Sequence, residues 1–432
     1  MIDIIIGRSE SDRKKYGTKG TILLGKQYVR MGQTESLSNP VYLDTAQSHV
    51  IFVCGKRGAG KSYTLGVVAE GITALPKEIR ANLSIVILDT MGIYWTMKHA
   101  NKPDKKLLKE WGLEAKGLDI TLWVPKGAVQ RMKKQGMPVD EAFSISPMDL
   151  SGEDWKTALG ILEGTESSII IDRVVADLRD SEKKYGMKDI VKAVGASSAG
   201  KLAVQDVLNR LDSAESWGLF SDDATPLDDI AKPGRVSVLD LSPYNQEGGW
   251  TIKSLAVGLV AEKLFTQRML QRQQEEFTAV EEAEHFASAG ASRKYPLVWL
   301  VIDEAHEFLP NDRKTLASDA LITILREGRQ PGISLVLASQ QPGKIHTDVL
   351  TQADTVISHR ITARIDTDAL GVLMQSYMRK GLAEELDHLP REKGAALVFD
   401  DTNERLYPIK VRPRLTWHGG SSPTALKDEE SL

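Results

Sequence analysis

The stretch His49-Val50-Ile51-Phe52-Val53-Cys54 runs directly into Gly55-Lys56-Arg57-Gly58-Ala59-Gly60-Lys61-Ser62, and this junction decides the fold. The apolar run reads as a strand buried on both faces. The next eight residues satisfy G-x4-G-K-[ST], and Tyr63 to Gly71 is compatible with a helix. A glycine-rich turn between a buried strand and a helix N-terminus lets backbone N–H groups wrap a phosphate. Gly55, Lys56, Arg57, Gly58, Ala59, Gly60, Lys61, Ser62 and Tyr63 are therefore the expected cofactor-binding segment. Lys61 would reach the β- and γ-phosphates and the Ser62 hydroxyl would take a place on Mg²⁺, so the expected ligand is a nucleoside triphosphate, ATP with Mg²⁺.

Working outward, Ser84–Leu88 reads as a second buried strand, and the helix between the two makes a right-handed βαβ unit. Further buried runs at Arg235–Leu241, Leu297–Ile302, Ile333–Ala338 and Ala395–Phe399 extend an α/β architecture with a mostly parallel central sheet. Residues 1–48 read as a short N-terminal β segment, with strands Thr21–Leu24 and Gln27–Val29 and breaks at Gly17, Gly20, Gly25, Gly32 and Pro40. Residues 49–145 and 233–418 are expected to form the two parts of the core. Between them, 146–232 reads as a helical insertion, with Ile169, Ile170, Val174, Val175 and Leu178 on one face and Leu202, Val204, Val207, Leu208 and Leu211 on another. A long helix is expected from Trp250 to about Glu276, leading through an acidic stretch to a loop at Ala287–Ser292. The tail 419–432 lacks periodicity and is expected to be mobile.

Leu297-Val298-Trp299-Leu300-Val301-Ile302-Asp303-Glu304-Ala305-His306 is an apolar strand ending in two carboxylates, a Walker B pattern. Asp303 would hold Mg²⁺ and Glu304 would activate the attacking water, the pairing a hydrolase needs. Gln340, after the strand Ile333–Ala338, is a candidate γ-phosphate sensor, the alternative being a strand-end cap. Asp89 would support the metal or start a turn. Arg326 and Arg329, at the end of a helix around Leu321–Glu327, are candidate arginine fingers, a role that requires a neighbouring subunit. Service to the helix C-terminus is the alternative for either.

Composition narrows the field. The 432 residues are 41% hydrophobic with a net charge of −4, so the chain can bury a sizeable core but lacks a global basic footprint. With one cysteine, Cys54, and no HExxH, disulfides and zinc enzymology are excluded. No uncharged stretch can span a bilayer and the first residues have the wrong order for a secretory signal, so a cytoplasmic protein is expected.

Together the P-loop, Ile302-Asp303-Glu304-Ala305-His306-Glu307-Phe308-Leu309-Pro310, Arg326-Glu327-Gly328-Arg329, Ser339-Gln340-Gln341-Pro342 and Val411-Arg412-Pro413 to His418-Gly419-Gly420 resemble the HerA family of the HerA/FtsK superfamily, in the family's order. The resemblance implies a RecA-like P-loop NTPase core with a helical insertion, a hexameric ring and DNA translocation through its pore. It also implies a protein partner, either a NurA-like nuclease in DNA end processing or, among antiviral-defence members, an effector that the ring scaffolds. The chain departs from the family in its short segment before the core and in Ile93, where the family tends to carry an acid.

Overall fold

The computed structural model describes residues 2–31, 34–245, 249–284, 295–371, 385, 386 and 388–420. The expected loop at Ala287–Ser292 and the tail from 421 onward lie outside the described residues. A single 13-stranded sheet carries the fold: β1 (Ile4–Ile6), β2 (Thr21–Met31), β3 (Thr34–Asp44), β4 (Val50–Cys54), β5 (Leu83–Asp89), β6 (Ile120–Pro125), β7 (Glu141–Phe143), β8 (Val236–Asp240), β9 (Leu297–Ile302), β10 (Ile333–Ser339), β11 (Thr355–His359), β12 (Ala395–Asp400) and β13 (Arg405–Val411). Their spatial order is β1-β3-β2-β13-β12-β11-β4-β10-β9-β5-β8-β6-β7. From β11 to β7 every neighbouring pair is parallel, while β12, β13 and β2 join antiparallel.

The parallel strands are buried on both faces, as their continuous apolar runs require. Along β4, Ile51 and Val53 face the helix Lys61–Thr73, with Leu65, Val67 and Val68 in the same apolar cluster. Phe52 and Cys54 face the opposite cluster, which holds Leu255, Val257 and Leu264 of the long helix Gly249–Glu284 and Trp155, Ile171 and Val207 of the region between β7 and β8. That region folds as helices Gly152–Leu159, Glu166–Asp180, Met187–Gly195, Lys201–Ser216 and Leu227–Ile230. Ser151 and Thr165 cap the first two by accepting from Asp154 N and Ser168 N, which satisfies otherwise orphaned donors.

Two expectations need correction. Ile169 and Leu202 do not lie on the buried faces assigned to them; they are 62% and 89% exposed. The helical period explains why: the buried pairs Ile170/Val174, Ile171/Val175 and Val207/Leu211 keep four-residue spacing, and Ile169 and Leu202 fall out of that phase. Gly25 and Pro40 do not break strands but lie inside β2 and β3. The N-terminal strands also belong to the main sheet, β2 pairing with β13 through Gln27 and Ile409. That β12 runs antiparallel to its neighbour β11 agrees with a mostly parallel sheet.

Candidate active site

The parallel strands all end at one edge, the usual place for a ligand in an open α/β sheet. There β4 delivers the phosphate loop, β9 delivers Asp303 and Glu304, and β10 delivers Ser339 and Gln340. β10 lies between β4 and β9, with Leu337 opposite both Phe52 and Ile302. Gln340 is thereby set between the loop and the carboxylates, although it follows them in sequence.

The loop turns on glycines with positive φ, Gly55 at 152° and Gly60 at 121°. A side chain at either would also press on His359, which a Cβ at Gly55 would approach to 2.7 Å. His359, at the end of β11, is fully buried and bridges Thr64 Oγ1 at 2.8 Å and the Ala395 carbonyl at 3.0 Å. Burial lowers its pKa to about 4, so it stays a neutral pillar beneath the loop. Lys56 N also donates to the Arg360 carbonyl at 3.1 Å, tying the loop to the residue after β11.

Lys61 is buried and its Nζ donates to the Lys56 carbonyl at 3.3 Å. Burial lowers its pKa, opposed by the charges of Glu304 and Asp303. Lys56 and Arg57 are exposed at the tip of the loop. Ser62 is half-buried on the first turn of the helix, and its hydroxyl makes no hydrogen bond to another described residue. Asp303 is buried, and its Oδ1 accepts from Glu304 N at 2.9 Å while its Oδ2 accepts from the Tyr94 hydroxyl at 3.1 Å.

Glu304 occupies the left-handed region, φ 53° and ψ 43°, uncommon for a residue with a side chain. Its Oε1 accepts from the Gln340 amide, and its Oε2 is buried without a hydrogen-bond partner, 3.6 Å from His306 Nδ1. Burial raises its pKa, helped by Asp303 and opposed by Gln340 and Lys61. An oxygen-only set of one hydroxyl and one carboxylate, beside a buried lysine, fits a hard divalent cation carried in on phosphates. Ser62 and Asp303 are the residues that would hold it.

The remaining candidates lie elsewhere. Asp89 is a buried turn residue, accepting from Met91 N, Gly92 N and Tyr94 N at 3.1, 2.8 and 2.8 Å. Arg326 and Arg329 are exposed at the end of the helix Ser318–Glu327, just before β10 begins at Ile333. The 7-residue β10 separates them from the phosphate-loop edge by about 20 Å at the usual rise per residue. Neither can serve its own chain's loop. Arg326 pairs with Asp348 at 2.6 Å, whereas the Arg329 guanidinium makes no ion pair or hydrogen bond with another described residue.

Three contributors escaped the sequence reading: Tyr94, His359 and Glu70. Glu70, in the helix Lys61–Thr73, is fully buried beneath the segment 412–416. It accepts from Arg412 Nη1 at 2.9 Å, Arg414 Nε at 3.2 Å and the backbone N–H groups of Leu415 and Thr416. Burial would raise its pKa, but Arg414 and Arg412 outweigh it and hold the carboxyl below its usual range. Arg414 N donates to the Tyr63 hydroxyl at 2.7 Å, and His418 meets the Tyr63 ring edge-on at 5.3 Å. The only sequence signal was an acid in mid-helix and two arginines near the end of the chain.

This sheet and loop define a P-loop ATPase fold. The family profile described as "Helicase HerA, central domain" matches residues 29–258, more than half of the chain, and the chain belongs to that family. A second profile, zonular occludens toxin, matches residues 258–370. Among relatives, a DNA double-strand break repair helicase HerA of Sulfolobus acidocaldarius is 24% identical over 92% of this chain and 68% of its own length. HerA proteins of Pyrococcus furiosus and Saccharolobus solfataricus are 29% and 24% identical, over 39% and 79% of this chain. The chain spans only 31% and 60% of the lengths of those two. VirB4 of Thermoanaerobacter pseudethanolicus shares the fold at a TM-score of 0.53 and 14% identity, over 91% of this chain and 96% of that one. Among the described residues no helix is long and apolar enough to cross a membrane.

Proposed function

We propose that the chain is a Mg²⁺-dependent ATP hydrolase that assembles as a hexameric ring and moves along DNA. The observation that carries this reading is the convergence of Lys61, Asp303, Glu304 and Gln340 on one sheet edge, brought there by β4, β9 and β10. Lys61 binds the β- and γ-phosphates. Glu304 takes the proton of the attacking water, burial having raised its pKa and with it its basicity. Gln340 orients that water or reads the γ-phosphate; Ser62 and Asp303 would hold a divalent cation, which when bound would supply charge neutralisation on the phosphates. The separation of Arg329 from its own loop supports a ring, because a guanidinium there acts only on a neighbour's nucleotide. The names of the HerA relatives, DNA double-strand break repair helicases, support DNA as the polymer, and a nuclease or effector as protein partner rests on the family resemblance of the motifs.

The test combines native mass with ATPase rates measured with and without duplex and single-stranded DNA. A ring whose hydrolysis rises with DNA, with binding that weakens steeply in salt as counterions are released and activity abolished by Lys61→Ala, is the expected result. A ring that hydrolyses ATP with neither salt-sensitive DNA binding nor stimulation would replace this reading with that of an ATPase scaffolding a partner.

A further inference from the structure

Tyr94 begins a short 3₁₀ turn, Tyr94–Lys98, after the loop that leaves β5. Its side chain is 1% exposed and packs in the same apolar cluster as Met97 and Ile87. The phenol projects from β5 toward the neighbouring strand and donates to Asp303 Oδ2 at 3.1 Å. The backbone of Tyr94 is itself clamped, its N–H donating at 2.8 Å to the buried Asp89, which also gathers the N–H groups of Met91 and Gly92. A rigid path thus runs from the end of β5, through Asp89 and the loop it folds, to the carboxylate at the end of β9.

Packing alone needs only the ring. A buried hydroxyl without a partner costs free energy, and among the described residues its partner is the Walker B carboxylate. With Glu304 N on Oδ1 and Tyr94 on Oδ2, both oxygens are engaged and the carboxylate cannot rotate freely. About two of its roughly four lone-pair directions stay available to a cation or its waters.

We propose that Tyr94 is a positioning residue whose hydroxyl orients Asp303 toward the divalent cation of the bound nucleotide. The inference rests on the reading that Asp303 serves that cation. The experiment compares the wild-type 432-residue chain with Tyr94→Phe and Asp303→Asn by binding of a fluorescent ADP in EDTA and along a Mg²⁺ titration. Mn²⁺ occupancy of the ADP complex by electron paramagnetic resonance gives a second readout independent of turnover. Tyr94→Phe should leave cation-free nucleotide affinity unchanged and raise the Mg²⁺ and Mn²⁺ half-saturation by about tenfold, the effect of one hydrogen bond to a charged group. Wild-type cation affinity in Tyr94→Phe, with Asp303→Asn impaired, overturns the inference alone. Unchanged cation affinity in Asp303→Asn overturns the underlying reading of Asp303. Should Tyr94→Phe fail to fold, 3,5-difluorotyrosine at position 94 alters the donor while keeping the packing. A shift in cation half-saturation without a change in cation-free affinity then supports the proposal, and no shift defeats it.

Discussion

Gln340 donates its side-chain amide to Glu304 Oε1 across the parallel pair β9–β10. The carboxylate proposed as the base is therefore held by a neutral donor, while its second oxygen lies buried and unpaired. Replacing the base by its amide should preserve the phosphate contacts of Lys61 but remove the proton acceptor. We expect Glu304→Gln to bind ATP with wild-type affinity and to lose about 10²–10⁴-fold in turnover. Equilibrium binding and single-turnover hydrolysis measure the two, and turnover within a few-fold of wild type would mean that another group is the base.

Gln340 itself should matter for rate rather than for affinity. With Gln340→Ala, Glu304 loses its donor and gains freedom, so kcat should fall about tenfold, the worth of a hydrogen bond to a charged group, at nearly constant KM for ATP. An unaltered kcat would leave Gln340 as a cap for the end of β10.

The two arginines are distinguishable because Arg326 is occupied by Asp348 and Arg329 is not. Arg329→Ala should abolish most ATPase activity, and Arg326→Ala should cost less. If Arg329 acts across a subunit boundary, mixing Arg329→Ala with Lys61→Ala subunits should restore part of the activity, each supplying what the other lacks. No recovery from rings that demonstrably mix would exclude that role.

The P-loop helix is fastened along its outer side by Tyr63, Gly66 and Glu70. A Cβ at Gly66 would lie 2.5 Å from Arg414 Cζ, so Gly66→Ala should destabilise by the ~1–3 kcal/mol typical of overpacking. Glu70→Gln should cost more, ~3–5 kcal/mol, because it leaves two buried guanidinium groups without their anion. Urea unfolding ranks the two, and the reverse order would show that the network is dispensable.

His49 offers a pH test. It is buried, with Nδ1 3.2 Å from Asp354 and Nε2 3.6 Å from Asp44. Burial opposes protonation, but the hydrogen bond to Asp354 and the nearby charge of Asp44 prevail and raise its pKa from 6.5 to about 9. Between these values the native state keeps a proton that the unfolded chain has lost, so this contribution is complete below pH 6.5 and fades as pH rises to 9. The loss should be roughly 3 kcal/mol. Urea midpoints of wild type and His49→Gln should converge as pH rises across this window, and parallel curves would refute the assignment.

Legibility followed chemistry. β4, β5, β9 and β10 announce themselves as unbroken apolar runs, and Asp303 and Glu304 stand visibly at the end of one of them. β11, Thr355-Val356-Ile357-Ser358-His359, is equally buried but did not read as a strand because its polar groups hide their partners, His359 meeting Thr64 and the Ala395 carbonyl. Gly25 read as a break, yet the carbonyl of Lys410 lies 2.1 Å from where its Cβ would be, so glycine is there to let β13 approach. Tyr94 was invisible for a related reason, since its partner lies 209 residues away along the chain. Pairings of that range are settled by topology and leave no local pattern.

The place of β4 between β10 and β11 also sets a schedule for synthesis. Ile51 pairs with Val336 on one side and Thr355 on the other, so the strand that carries the phosphate loop leaves the ribosome with neither neighbour in existence. At ~5–20 residues per second the first of them follows ~15–60 s later. For that interval the loop has no rigid base, and Ile51, Phe52 and Val53 are exposed to any chaperone or to another nascent copy. A nascent chain that stops before β10 should therefore fail to retain ATP, however complete its Gly55–Ser62 segment.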